Sequence, residues 1–202
     1  MKSLVFAAAV FTAPLAAGLS TAQAAPLSQY ASSVIDYSTQ YSSTSWSAAQ
    51  VLGTPNTFTY GDIATAWAPS ASNGTLEFIT VGFEAPVYAT GAVVRETYGN
   101  GFVYKIDALD TFGGFHTVWS GIDTSLAGNA VDFTVSWATT SYLVSGLKIF
   151  TNTDHDLGAW EEIDAIQLVG VTEAAIPEPG MVALFGLGLL GFAASRRKTI
   201  KK

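Results

Sequence analysis

The sequence predicts an all-β fold, an antiparallel β-sandwich of the jelly-roll type. Between positions 30 and 170, short segments rich in β-branched and aromatic residues recur at a spacing of about ten residues. Residues that favour turns separate these segments, and none of them continues into a long helical period. Many short strands joined by turns are typical of two packed antiparallel sheets.

The individual strands follow from their composition and partial alternation of apolar and polar residues. The segment ETYGNGFVYKI predicts a strand, a tight hairpin turn at Asn100-Gly101 and a second strand. The segment WSAAQVLG, residues 46–53, is the one candidate for a turn or two of helix. The predicted strands are 75–83, 87–98, 102–110, 131–137 and 142–150, and the other turn signals are Asn73-Gly74, Gly113-Gly114 and Gly128-Asn129.

The N-terminus has the pattern of a secretory signal peptide. Lys2 supplies positive charge, residues 4–17 are apolar, and Ala22-Gln23-Ala24 forms a small-residue cleavage site. We therefore expect a signal peptide over residues 1–24, which is excluded from the fold.

The C-terminus contains a second apolar segment, residues 181–194, which carries no charge. A helix of this length is about 21 Å long, which is short for a membrane span and leaves a buried core helix as the alternative. The basic residues Arg196, Arg197 and Lys198 follow directly and favour a membrane helix held with its basic end on the cytoplasmic side.

The whole segment IPEPGMVALFGLGLLGFAASRRK, residues 176–198, resembles the PEP-CTERM sorting signal of Gram-negative bacteria. Its motif residues fall on Pro177, Glu178 and Pro179. The resemblance implies recognition by an exosortase, transient anchoring in the inner membrane, and delivery to the cell surface or an exopolysaccharide matrix. The alternative is an ordinary C-terminal anchor with a chance pair of prolines. We assign residues 176–202 to this sorting segment.

Charge and cysteine content restrict the function of the remaining module. Residues 25–176 hold three basic and fifteen acidic residues, a net charge of −12. Nucleic acid is excluded as a partner on this basis, because binding it requires a basic surface. The chain has no cysteine, which excludes disulfides, cysteine-ligated zinc and thiol nucleophiles.

The module, residues 25–175, also resembles a known family. Residues 30–56, 87–107 and 160–170 are similar to the discoidin-type, galactose-binding-like domains of many exported bacterial proteins. The resemblance implies a jelly-roll sandwich of about eight strands with ligand-binding loops at one end. It does not imply a particular ligand, since this fold supports many functions.

An acidic loop offers a candidate metal site. Asn152, Asp154 and Asp156 alternate, so in an extended loop their oxygens point the same way and are suited to Ca²⁺. The alternative is a solvated acidic loop on an acidic protein. The spacing does not match an EF-hand, because Leu157 and Ile163 occupy positions that require Gly and Glu.

Aromatic residues near the expected loops offer a candidate sugar site. Trp46, Trp67 and Trp160 lie nearest the expected loops, and a flat aromatic face can stack on the apolar face of a sugar. We take Trp67 and Trp160 as the candidate sugar contacts. Burial in the core is the alternative for each. We find no catalytic motif, since neither His116 nor His155 has an evident catalytic context.

These observations predict an exported, non-catalytic surface or matrix protein that binds carbohydrate. One alternative is a structural or protein-interaction module of the envelope. A second alternative is an enzyme that acts on matrix polysaccharides.

Overall fold

The computed structural model of the protein describes residues 25–173, which form an antiparallel β-sandwich. Its strands are β1 (Pro26–Tyr30), β2 (Ser33–Tyr37), β3 (Leu76–Tyr98), β4 (Val103–Asp110), β5 (Phe115–Ser120), β6 (Val131–Ser136), β7 (Leu143–Asn152) and β8 (Glu162–Val171). A single 3₁₀ turn, Ala48–Val51, is the only helical element within these residues.

Strand β3 belongs to both sheets. Its first part pairs with β2 and β7, and its last eleven residues pair with β8 and β6. The register shifts between Gly82 and Val87, and this is where the strand passes from one sheet to the other. One sheet therefore has the order β2-β3-β7-β4-β5, and the second has the order β1-β8-β3-β6.

The core lies between the two sheets and consists of aliphatic side chains. Inward-facing positions on the central strands, such as Ile79, Leu147 and Ile166, have no exposed surface. Alternation of buried and exposed residues along the strands produces this arrangement, because successive side chains point to opposite faces. Within the described residues the buried core is one continuous cluster that runs from Ala31 to Leu168, as expected of a domain with its own core.

The two ends of the sandwich differ. One end, which we call the loop end, is built from residues 38–75, 99–102, 121–130 and 153–161. At the opposite end, Pro26 at the start of β1 pairs with Val171 at the end of β8.

The structure confirms the predicted all-β sandwich and revises two details of it. The predicted strands 75–83 and 87–98 are one continuous strand, β3. The predicted hairpin at Asn100-Gly101 is wrong, because β4 pairs with β5 and β7 and not with β3. The chain does turn there, with positive φ at Gly99 and Gly101, but the turn connects the two sheets.

The predicted signal peptide, the Pro177-Glu178-Pro179 motif, the apolar segment 181–194 and the basic residues Arg196, Arg197 and Lys198 lie outside the described residues. Between residues 25 and 173, no helix has the length and hydropathy needed to span a membrane.

Candidate functional site

The loop end contains a cleft in which three of the six lining residues are aromatic. It has an empty volume of about 260 Å³. We call it the aromatic cleft; its lining residues are Tyr41, Trp46, Asp62, Ala68, Trp160 and Glu162.

The three aromatic rings of the cleft meet edge to face. The ring centroid of Tyr41 lies 5.3 Å from that of Trp46 and 5.9 Å from that of Trp160, with interplanar angles of 69° and 85°. Aromatic pairs favour such edge-to-face contacts because their electron-poor edges meet electron-rich faces. Tyr41 is about half exposed, so this aromatic wall is open to solvent.

Trp46 is held in an unusual backbone conformation. It is the only non-glycine residue with positive φ among the described residues, at +50°. Its backbone N–H donates to the carbonyl of Ala64 at 3.1 Å, and its indole N–H donates to Glu162 Oε1 at 3.1 Å. A bulky residue in this region is strained, and such strain occurs preferentially at functional sites.

Glu162 lies beneath the cleft and is fully buried. Its second oxygen accepts a hydrogen bond from the backbone N–H of Ile63 at 3.2 Å. Burial raises the pKa of Glu162 to about 8, and the neighbouring Asp62 carboxylate adds to this effect against the hydrogen bonds from Ile63 and Trp46. At neutral pH this carboxyl group is therefore mostly protonated and can donate as well as accept.

The structure separates the two tryptophans that the sequence analysis singled out. Trp160 lines the aromatic cleft and is partly exposed, while its indole N–H is buried without a protein partner. Trp67 is 0 % exposed, and its indole N–H donates to the carbonyl of Thr39 at 3.1 Å. The assignment of Trp67 to a sugar-stacking surface is therefore corrected, because its ring is enclosed by the core.

Trp67 has a structural role instead. Its backbone makes two hydrogen bonds with Ile163 of β8, at 2.8 and 3.0 Å, as an isolated antiparallel bridge. These bonds, together with the bond to Thr39, fix the long 38–75 loop against the sheet. The aromatic cleft is built on this loop, so Trp67 positions the site from below.

The oxygens of Asn152, Asp154 and Asp156 each accept a backbone hydrogen bond. Asn152 Oδ1 accepts from Asp154 N–H at 3.1 Å, Asp154 Oδ1 from Gly74 N–H at 2.7 Å, and Asp156 Oδ1 from Gly158 N–H at 3.0 Å. Within residues 25–173 no group of three or more His, Cys, Asp or Glu side chains is arranged to hold a metal ion. The calcium site at these three residues stays a prediction.

Sequence analysis missed the extent of carboxyl burial at the loop end. Glu96, Glu161 and Glu162 have no exposed surface. Burial raises the pKa of Glu161 to about 8 and that of Glu96 to about 10, the latter with a further contribution from Asp123. The only sequence signal was the pair Glu161-Glu162 directly before the apolar run of β8.

The fold and the cleft at its loop end define an antiparallel β-sandwich that resembles the folds of discoidin-type domains and family 32 carbohydrate-binding modules. Residues 20–178 match the family model described as "Pappalysin-1, SD scarf domain, C-terminal", and the chain belongs to this family. Residues 175–198 match the PEP-CTERM protein-sorting motif, which confirms the resemblance of the tail and indicates an exported protein.

Solved structures support the fold. The family 32 carbohydrate-binding module of C. perfringens NanJ, solved with galactose, has a TM-score of 0.51 at 14% identity, covering 71% of this chain and 99% of that one. A module of a Clostridium perfringens family 31 glycoside hydrolase has a TM-score of 0.50 at 14% identity, with coverages of 68% and 90%.

Allantoicase from Saccharomyces cerevisiae also has a TM-score of 0.50, at 15% identity over 68% of this chain. The present chain spans only 39% of allantoicase. At these identities the likenesses establish the fold alone. No curated protein sequence matches the chain.

Proposed function

We propose that the protein is an exported glycan-binding protein whose aromatic cleft holds a sugar without transforming it. The observation that carries this proposal is the open aromatic wall of Tyr41, Trp46 and Trp160 placed above the carboxyl group of Glu162. Binding sites for small ligands combine apolar surfaces with a few polar groups that fix orientation. A sugar presents both kinds of surface, with C–H groups on its faces and hydroxyls at its edge.

The polar groups of the cleft suit hydroxyl ligands. Asp62 contributes to the raised pKa of Glu162, and this raised pKa lets Glu162 serve as a donor or an acceptor. The galactose bound to the NanJ module makes galactose the first sugar to test here.

The tail completes the proposal for localisation. In this proposal an exosortase recognises Pro177, Glu178 and Pro179, and the segment 181–194 with its basic residues anchors the precursor in the inner membrane. The folded module then reaches the cell surface or the extracellular matrix, where exopolysaccharide is the expected partner. A Pro177→Ala, Pro179→Ala variant tests this step, and we expect it to keep its C-terminal tail uncleaved and to fail to reach the cell exterior.

The glycan-binding test compares cleft variants with a distant aromatic variant. Residues 25–173 are screened on a glycan array and then titrated calorimetrically with galactose and with the best array ligand. We expect Trp160→Ala and Tyr41→Ala each to weaken binding at least tenfold, which corresponds to about 1.4 kcal/mol. Phe112→Ala is the matched control, since this aromatic side chain is 96 % exposed in the turn at the opposite end.

Unchanged affinity in both cleft variants would contradict the assignment of the cleft. Absence of binding to every glycan would instead favour a structural or protein-interaction module. Release of reducing sugars by the purified module would contradict the non-catalytic part of the proposal.

A further inference from the structure

A second site of unusual chemistry lies at the loop end, between the turn that follows β3 and the loop that precedes β6. Glu96, near the end of β3, is 0 % exposed. Its Oε2 accepts the backbone N–H of Gly101 at 2.9 Å, while its Oε1 is buried and has no hydrogen-bond donor. A buried carboxylate oxygen without a donor is energetically costly.

Asp123 faces Glu96 from the 121–130 loop and is 4 % exposed. Its Oδ1 accepts the backbone N–H of Ser125 at 2.9 Å, and its Oδ2 is buried without a donor. Gly101, whose N–H donates to Glu96, lines the same cleft as Asp123, so the two carboxyl groups lie close together. Two carboxyl groups therefore share one buried space, each with one unsatisfied oxygen.

None of the arginine and lysine side chains among the described residues pairs with Glu96 or Asp123. Arg95 pairs with Asp132, Lys105 pairs with Asp107, and Lys148 lies 3.4 Å from the ring centroid of Phe78. Two carboxylates in contact cannot both stay ionised unless a proton or a cation lies between them. Burial, and then the neighbouring Asp123, raise the pKa of Glu96 to about 10, which means that the ionised form of Glu96 is destabilised in this space.

We propose that Glu96 and Asp123 bind a divalent cation of the calcium type. The donors are oxygens, which suit a hard cation, and Ca²⁺ accepts six to eight oxygen ligands, including waters and carbonyls. Asp123 also lines an open cleft with Gly101, Asn152 and His155, which gives solvent and ions a route to the pair. The ion would compensate the buried negative charge and satisfy both unpartnered oxygens.

The two sides of this site are already held together by other contacts. The side-chain amide of Asn100 donates to the carbonyls of Leu126 and Asn129, at 3.1 and 2.8 Å. These bonds tie the turn after β3 to the 121–130 loop independently of the carboxyl groups. A bound ion would therefore meet a preorganised site, which lowers the entropic cost of binding.

The proposed site does not use the carboxylates of the acidic loop discussed above, although Asn152 of that loop lines the same cleft as Asp123. The Asp154 carboxylate accepts a hydrogen bond from the N–H of Gly74. The two oxygens of Glu162 accept hydrogen bonds from the Trp46 indole N–H and the Ile63 backbone N–H. Variants of these residues therefore serve as matched controls that remove a carboxylate elsewhere at the loop end.

The test measures calcium binding to residues 25–173, first stripped with a chelator, by calorimetry and by thermal melting at pH 7.5. We expect one ion per chain and a melting temperature raised by about 5–10 °C at a hundredfold excess over Kd. Glu96→Gln and Asp123→Asn should lose both responses, while Asp154→Asn and Glu162→Gln should keep them. Glu96→Gln is isosteric and uncharged, so we expect it to fold without calcium.

Three results would overturn the proposal. The first is an unchanged melting curve and no heat in the unmodified module at millimolar calcium. The second is a full calcium response in Glu96→Gln. The third is a response lost only in Asp154→Asn, which would place the ion in the 152–156 loop. A larger response to Mg²⁺ than to Ca²⁺ would contradict the choice of ion.

Discussion

The interior of the sandwich and its loop end bury opposite kinds of side chain. Between the sheets, residues such as Ile106 and Leu147 are completely buried. Their burial contributes about 25 cal/mol of folding free energy for each Å² of apolar surface removed from water. At the loop end, Glu96, Glu161 and Glu162 are equally buried, and burying a carboxyl group opposes folding unless it is paired or protonated. Burial between the sheets therefore stabilises the fold, whereas burial of the carboxyl groups at the loop end does not, unless these groups are protonated or paired.

The largest expected effect comes from the residue that joins the two regions. Replacing Trp67 with Ala removes a fully buried indole and the bond to Thr39, so the free energy of unfolding should fall by about 3–5 kcal/mol. Urea denaturation of residues 25–173 measures this change. A loss below about 1 kcal/mol would show that the 38–75 loop is stabilised elsewhere.

A smaller effect should appear in the pH dependence of stability, because buried acids keep their protons in the folded state. Glu161 and Glu162 have folded pKa values of about 8, against an ordinary value of 4.5. Their stabilising contribution is present below the unfolded pKa and is lost as the pH rises towards 8. Each group lowers the free energy of unfolding by at most about 1.4 kcal/mol per pH unit.

Thermal melting between pH 5 and pH 9, with a chelator present, measures this trend. Glu162→Gln should flatten the curve, because glutamine cannot ionise. A melting temperature that rises between pH 5 and pH 8 would contradict the assignment of buried, protonated carboxyl groups. Asp36→Asn, which changes an exposed carboxylate on β2, is the matched control and should leave the slope unchanged.

The smallest effect is expected at an exposed ion pair on the body of the sandwich. Arg95 donates to Asp132 at 3.1 Å, and the Asp132 side chain is 54% exposed. Asp132→Ala should change the free energy of unfolding by less than about 1 kcal/mol, because solvent screens the interaction. A double-mutant cycle with Arg95→Ala measures the pair directly, and a coupling above about 2 kcal/mol would contradict its peripheral role.

The sequence predicts where most of the strands lie, but it does not predict which strands pair with each other. The β-rich composition predicted the sandwich, and the turn signals located reversals such as the one at Asn100-Gly101. Local turn chemistry specifies that the chain reverses, but it does not specify which strand the next one pairs with. The pairing of β4 with β7 depends on contacts between residues far apart in the chain.

The candidate site divides in a similar way. Trp160 was identified because an aromatic residue beside a predicted loop is a reasonable ligand contact, and it lines the cleft. Trp67 has the same local signature, yet it is enclosed because the 38–75 loop folds back onto β8. Burial of Glu96 beside Asp123 likewise arises only when two distant segments meet, so no local pattern indicates it.

The direction of β8 has a consequence for how the molecule is displayed. The strand begins beside the aromatic cleft at Glu162 and ends at Val171 next to Pro26, a run of ten residues or about 30 Å. Any tether that continues from this strand leaves the sandwich at the pole remote from the cleft. If the chain were fixed to a lipid surface through that pole, the aromatic cleft would be directed away from the surface.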